Sequence, residues 1–119
     1  MNTIDTQTIR AGAFPLTVRV RSHSLTSDVA TTVGGRDEAP GPHDLFDAAL
    51  ATCKAMTAMW YAKRKGIPLE RVETHVESDD SQERAGVYRM RVRVELFGPM
   101  SDEQRAHITA RSAGARSTS

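Results

Sequence analysis

The sequence predicts an α+β fold in which a mostly antiparallel sheet packs on one long central helix. Three observations lead there. Residues 42–65 repeat apolar side chains at helical spacing between a start signal and a stop signal. Segments near 14–21, 70–77 and 87–97 alternate apolar and polar residues, the pattern of half-buried strands. Strands and helices come in blocks instead of alternating, which favours antiparallel pairing.

Taken in order, Phe14, Leu16, Val18 and Val20 point to one side of the first strand and Thr17, Arg19 and Arg21 to the other. A weaker strand is expected over 24–33, closed by Gly34 and Gly35, with 36–41 a polar connector. The helix over 42–65 opens on Pro42, whose missing N–H costs nothing at a first helical position. Asp44 and Asp47 near its start and Lys63, Arg64 and Lys65 at its end complement the helix dipole, and Gly66 with Pro68 stops it. Leu45, Phe46, Ala49, Leu50, Cys53, Met56 and Trp60 recur at three- and four-residue spacing, and further alanines widen the small-residue surface. A helix apolar around so much of its circumference is expected to be central and largely covered.

Val72, Thr74 and Val76 then alternate with Glu73, His75 and Glu77 in a strand, and 79–86 form a polar hairpin loop. Tyr88, Met90, Val92, Val94 and Leu96 alternate with Arg89, Arg91, Arg93 and Glu95, giving one aliphatic and one basic face. Ser101 to Gln104 is a capping box that opens a second helix, supported only by Ala106, Ile108 and Ala110.

Composition narrows the function classes. The 119 residues suit one modest core. Lys+Arg 16 against Asp+Glu 15 leaves a net charge of +1, which argues against a nucleic-acid binder that neutralises many phosphates, including one using Arg89, Arg91 and Arg93. A single cysteine rules out an intrachain disulfide framework. The histidines at 23, 43, 75 and 107 have no metal-site spacing, so neither a metal nor another cofactor is expected. A polar start without an apolar signal core, and no apolar run long enough to span a bilayer, lead us to expect a soluble cytoplasmic protein with no membrane partner.

Few residues carry chemistry. On spacing alone Cys53 reads as a small buried hydrophobe beside Phe46, Leu50, Met56 and Trp60, where burial would oppose thiolate formation. Lys54 projects about 100° away around the helix and supplies no obvious cation. Asp44, next to His43, is explained by the helix dipole alone. The arginine row reads as a solvated strand face, and Met56, Met59 and Trp60 as core.

The run GGRDEAPGPHDLFDAALATCKAMTAMWYAKRKGIPLERV, with HSLTSD upstream and FGPMSDEQ downstream, resembles the OsmC/Ohr superfamily of osmotically inducible and organic-hydroperoxide-resistance proteins. The A-L-x-x-C-x-A-M-T stretch over 49–57 is its most specific part, with Phe46 where the family pattern has a leucine, and the resemblance covers roughly residues 14–108. While the composition of 111–119, RSAGARSTS, predicts a disordered tail, the resemblance implies a single OsmC-like domain over 1–110. It implies an intertwined homodimer with its sites at the subunit boundary. It further implies a thiol-dependent peroxidase for organic hydroperoxides, in which a helical cysteine attacks the peroxide, a second cysteine resolves it, and an external thiol restores it. Cys53 matches the first cysteine. The activating carboxylate falls at His43 or Asp44, of which Asp44 is chemically sensible; the activating arginine is Arg19, Arg21 or Arg36.

This chain departs from the family at its end. Where the family carries CPVHK or CPVHR, residues 114–119 read GARSTS. Codons GGT GCC CGG TCC ACA AGC encode GARSTS, and the same bases read from the third spell CPVHK. A frameshift near 106–111 accounts for that coincidence and for the fading second helix. Loss of the second cysteine would impair the peroxidase. The alternative is a non-catalytic dimeric module of the same fold that binds a small apolar ligand.

Overall fold

The computed structural model describes residues 3–79, 86 and 89–112. It shows two compact units, Met1–Phe46 and Asp47–Ser119. Each is built on antiparallel strands. The strands divide into two sheets, where the sequence patterns suggested one.

In the first unit, strands β1 (Ile4–Thr8), β2 (Leu16–Val20) and β3 (His23–Ser27) form a meander in that spatial order. The register aligns Thr6 with Val18 and Val18 with Leu25, so Ile4, Leu16, Val18, Val20 and Leu25 share one face. No apolar alternation marks β1, whose IDTQT side chains are all exposed; its ladder with β2 makes it a strand. Phe14 lies outside β2 and is exposed.

The third strand ends at Ser27, short of the expected Val33, because the next residue takes over the backbone. Asp28 is 2% exposed. Its Oδ1 accepts the N–H of Val29 at 2.7 Å, and its Oδ2 accepts those of Arg36 and Glu38 at 3.1 Å each. Burial acts to raise its pKa, but the N–H groups of Glu38, Val29 and Arg36, with the charge of Arg10, outweigh it and hold the carboxyl below its ordinary value of 3.8. Ser27 Oγ and the Asp28 N–H both donate to the Pro40 carbonyl, at 2.8 and 3.2 Å. The chain from 28 to 41 is thereby folded back around one carboxylate, with a single 3₁₀ turn at Thr31–Val33. Gly35 is required in this wrap: a Cβ there would run into the Val29 carbonyl and lie 2.8 Å from Asp28 Oδ1.

The wrap delivers the chain to α1 (Pro42–Lys65), with the bounds the sequence predicted. At its start the Gly41 carbonyl accepts the Leu45 N–H at 3.0 Å, and the Asp44 carboxylate reaches back to the Gly41 N–H at 2.9 Å. At its end Gly66 adopts φ 68°, its N–H donates to Lys63, and the Ile67 N–H donates to Ala62 at 2.9 Å. That double bond is a Schellman stop, which needs a left-handed residue and so favours glycine.

In the second unit, β4 (Arg71–Asp79) and β5 (Arg89–Phe97) pair in a two-stranded ribbon with Val72 opposite Leu96 and Val76 opposite Val92. The ribbon's inner face meets α1 and α2 (Asp102–Ser112). Ala58, Ala62, Leu69, Val92, Val94, Leu96 and Ile108 form the buried core, with Leu50, Met59, Tyr61 and Val72 among the side chains packed on it. The predicted capping box is present: Gln104 N–H donates to Ser101 Oγ at 3.1 Å and Ser101 N–H to Gln104 Oε1 at 3.0 Å. Ile108 is the one apolar side chain that anchors α2 to the core, since Ala106 and Ala110 are exposed, and Arg105 adds a hydrogen bond to the Leu96 carbonyl. The helix runs to Ser112, two residues into the segment expected as tail. The rest of that tail, most of the expected hairpin loop and Tyr88 lie outside the described residues. Among the described residues no helix is long and apolar enough to cross a membrane.

Two stability experiments follow. Ile108 is 0% exposed, so Ile108→Ala removes the one apolar anchor of α2. The expected cost is about 2–5 kcal/mol, read from urea midpoints. For Asp28 the folded-state pKa is the lower one, so the unfolded chain binds the proton more tightly. Its contribution is therefore fully present above the ordinary carboxylate range and disappears as pH falls below 3.8. Urea midpoints measured down the acid limb should fall less steeply for Asp28→Asn than for the parent chain.

Candidate active site

The rotation of α1 decides what its side chains can do. Lys54, Ala58 and Ala62 are buried on the side that faces the core, with Leu50 and Tyr61 half-buried beside them. About 100° per residue around the helix then turns Phe46, Ala49, Cys53, Met56 and Trp60 to the other side, where all five are exposed. Phe46 is 61%, Met56 67% and Trp60 59% exposed. The helix is thus apolar on two faces, and the core covers one. This corrects the expectation of a largely covered helix with Met56 and Trp60 in its core; only Met59 packs there.

Cys53 sits mid-way along the uncovered stripe and is an exposed free thiol. The burial expected beside Phe46, Leu50 and Met56 is absent, and the objection to its reactivity drawn from burial goes with it. Its Sγ lies 3.9 Å from Thr57 Oγ1, one helical turn on. Toward the end of the stripe the Arg64 guanidinium lies 5.0 Å from the Trp60 ring centroid. Lys54, next to Cys53 in sequence, is buried on the opposite side.

Asp44 is exposed and caps the helix through Gly41, which accounts for it structurally; His43 beside it is also exposed. Arg19 is exposed on β2, opposite Asp5 and Ser24. Arg21 takes φ 55° in the turn between β2 and β3. Arg36 gives its backbone N–H to Asp28, and its guanidinium lies 3.7 Å from Glu38, which Arg10 also approaches at 3.5 Å. Asp44 and these three arginines belong to the first unit and Cys53 to the second.

Arg91 and Arg93 of β5 are not free cations. Arg91 lies 3.9 Å from Glu77 across the ribbon, and Arg93 lies 3.1 Å from Glu95. On β4, Arg71 lies 3.1 Å from Glu73 and stacks 4.3 Å from the Phe97 ring centroid. The outer face carries both signs in close pairs, as a solvated strand face does. Among the described residues no three histidine, cysteine or acidic side chains gather as a metal site.

Sequence reasoning passed over two residues. Asp28 organises the loop before α1; its signal was an aspartate at the end of a strand, followed by a glycine pair. Thr57 touches Cys53; its signal was the four-residue spacing that stacks two side chains on one helix face.

With this geometry in hand, the chain can be compared with known proteins. Residues 35–118 match the family described as OsmC-like protein. The chain belongs to the OsmC-like family. Solved structures agree on the fold. A protein of Psychrobacter arcticus assigned to osmotic-stress induction and detoxification response superposes with a TM-score of 0.78 at 16% identity, over 96% of this chain and 83% of that one. An OsmC-like protein of Mycoplasma pneumoniae gives 0.75 at 16% identity, over 95% and 80%. An organic hydroperoxide resistance protein, OsmC, of Legionella pneumophila gives 0.66 at 19% identity, over 94% and 81%. No curated protein sequence matches the chain. The family match contains Cys53, Asp44 and Arg36 and leaves Arg19 and Arg21 outside. The α+β architecture with its long OsmC-type helix is the fold these proteins share.

Proposed function

We propose that this OsmC-like chain is a thiol-dependent peroxidase that reduces organic hydroperoxides at Cys53. The observation that carries the reading is the placement of the chain's one thiol: exposed, on the long helix, within the family match. The neighbours named for organic hydroperoxide resistance support the substrate class.

The chemistry needs one sulfur and a proton. The Cys53 thiolate attacks a hydroperoxide oxygen, an S–O bond forms and the O–O bond breaks. Sulfur is oxidised to the sulfenic acid, and the departing alkoxide takes a proton to become the alcohol. The reading keeps Asp44 and one of Arg19, Arg21 or Arg36 as the groups that the resemblance assigns to polarising the thiolate. A one-cysteine chain has no internal thiol to resolve the sulfenic acid. An external thiol condenses with it, releasing water and leaving a mixed disulfide, and a second thiol frees Cys53 as the thiol. A reducing cytoplasm supplies such thiols. When peroxide outruns them, the sulfenic acid proceeds to the irreversible sulfinic state.

The same reading makes the protein an intertwined homodimer. The first unit separately exposes Ile4, Phe14 and Leu25, and the uncovered stripe of α1 is the kind of apolar surface that marks interfaces. That surface also favours a second reading, a non-catalytic dimeric module that holds a small apolar ligand there.

Two measurements decide. Cumene hydroperoxide with a sulfenate trap should label Cys53, with slow thiol-dependent turnover, inactivation by excess peroxide and no activity in Cys53→Ser. An unlabelled Cys53, or full activity in Cys53→Ser, removes the peroxidase reading and leaves the binding module. Light scattering should return twice the 13.0 kDa chain mass; a particle of chain mass across a wide concentration range rules out the dimer.

A further inference from the structure

We infer that Thr57 is a positioning residue for Cys53, its hydroxyl donating to the sulfur once Cys53 is the thiolate. The inference rests on the peroxidase reading above, and the observation behind it is the 3.9 Å separation between Thr57 Oγ1 and Cys53 Sγ. Helical side chains lean toward the N-terminus, so a residue covers the turn before its own Cα. Thr57 therefore leans back over Cys53.

The surroundings leave this task to no other helix neighbour. Of the residues three and four positions from Cys53, Ala49, Leu50 and Met56 carry no polar hydrogen, and Thr57 carries one. Lys54 is turned to the core side. A threonine hydroxyl within a helix commonly bonds the carbonyl four residues back, as Thr109 does to Arg105 at 3.0 Å. At Thr57 the hydroxyl instead lies within bonding distance of a sulfur. A hydroxyl donor stabilises a thiolate more than a thiol, because a hydrogen bond to the charged form is the stronger one. It also narrows the directions in which the sulfur lone pairs can meet a peroxide oxygen.

The test reads thiolate formation directly and needs no peroxidase activity. Rates of Cys53 alkylation by iodoacetamide are measured against pH on the full-length chain, for the parent and for Thr57→Ser, Thr57→Val and Thr57→Ala. Thr57→Ser keeps the hydroxyl and should stay within twofold of the parent. Thr57→Val removes it at nearly constant shape and should slow alkylation at neutral pH by roughly two- to tenfold, the worth of one hydrogen bond, with the midpoint of the profile displaced to higher pH. Thr57→Ala should behave like Thr57→Val, and it carries the test if valine disturbs the helix. Profiles for Thr57→Val or Thr57→Ala that superimpose on the parent overturn the inference, as does a Thr57→Ser profile displaced as far as theirs. Peroxidase activity that survives Cys53→Ser overturns the reading beneath it, whatever the alkylation profiles show.

Discussion

The packing of Ala58 and Ala62 against Val92, Val94 and Leu96 sets the rotation of the long helix, and most of what this chain can do depends on that angle. Two alanines one turn apart form a flat, fully buried strip, and a larger residue at either position would overpack the core. With the alanines turned inward, helical geometry leaves no choice for the rest. Cys53 and its apolar neighbours must face outward, and Lys54 must be buried. Cys53 is exposed because the core is elsewhere.

A second constraint governs the entry to that helix, and it is polar. The carboxylate of Asp28 gathers N–H groups from Val29, Arg36 and Glu38, so a stretch without regular structure is ordered by one side chain. The path it imposes brings Gly41 to the helix start, where Asp44 can reach back to it. Buried polar groups are stabilising only when satisfied, and this one is satisfied by backbone donors that would otherwise need water.

How far all this could be read from sequence depended on what each element relies upon. The long helix was legible to the residue because its signals are local: a proline first turn, an early aspartate, a lysine-rich end and a stopping glycine. The capping box at Ser101 and the alternation of β5 were legible for the same reason. The first strand was not, since IDTQT has no apolar period and becomes a strand only through bonds to β2. The strand expected over 24–33 was overextended because Val29 and Val33 look strand-like, and nothing in the local pattern shows that Asp28 claims the backbone between them. Apolar periodicity placed Cys53 on a stripe with Phe46, Met56 and Trp60, but a helix with two apolar faces does not say which one the core takes. The family resemblance named Cys53, Asp44 and a choice of arginines; it included Thr57 in its most specific stretch but gave it no role.

The confinement of the aliphatic core to the second unit has a consequence for local opening. Every aliphatic side chain of the buried cluster lies beyond Asp47, while in the first unit the deeply buried polar side chains are Ser27 and Asp28. Opening the meander thus exposes little new apolar surface, whereas opening β5 exposes nearly all of it. Amide protons of β1–β3 would exchange with solvent through frequent small fluctuations, and those of β5 and the middle of α1 only through near-global unfolding. The chain would then have a slow-exchanging part and a fast-exchanging part, with the thiol-bearing helix beginning in the fast one and ending in the slow one.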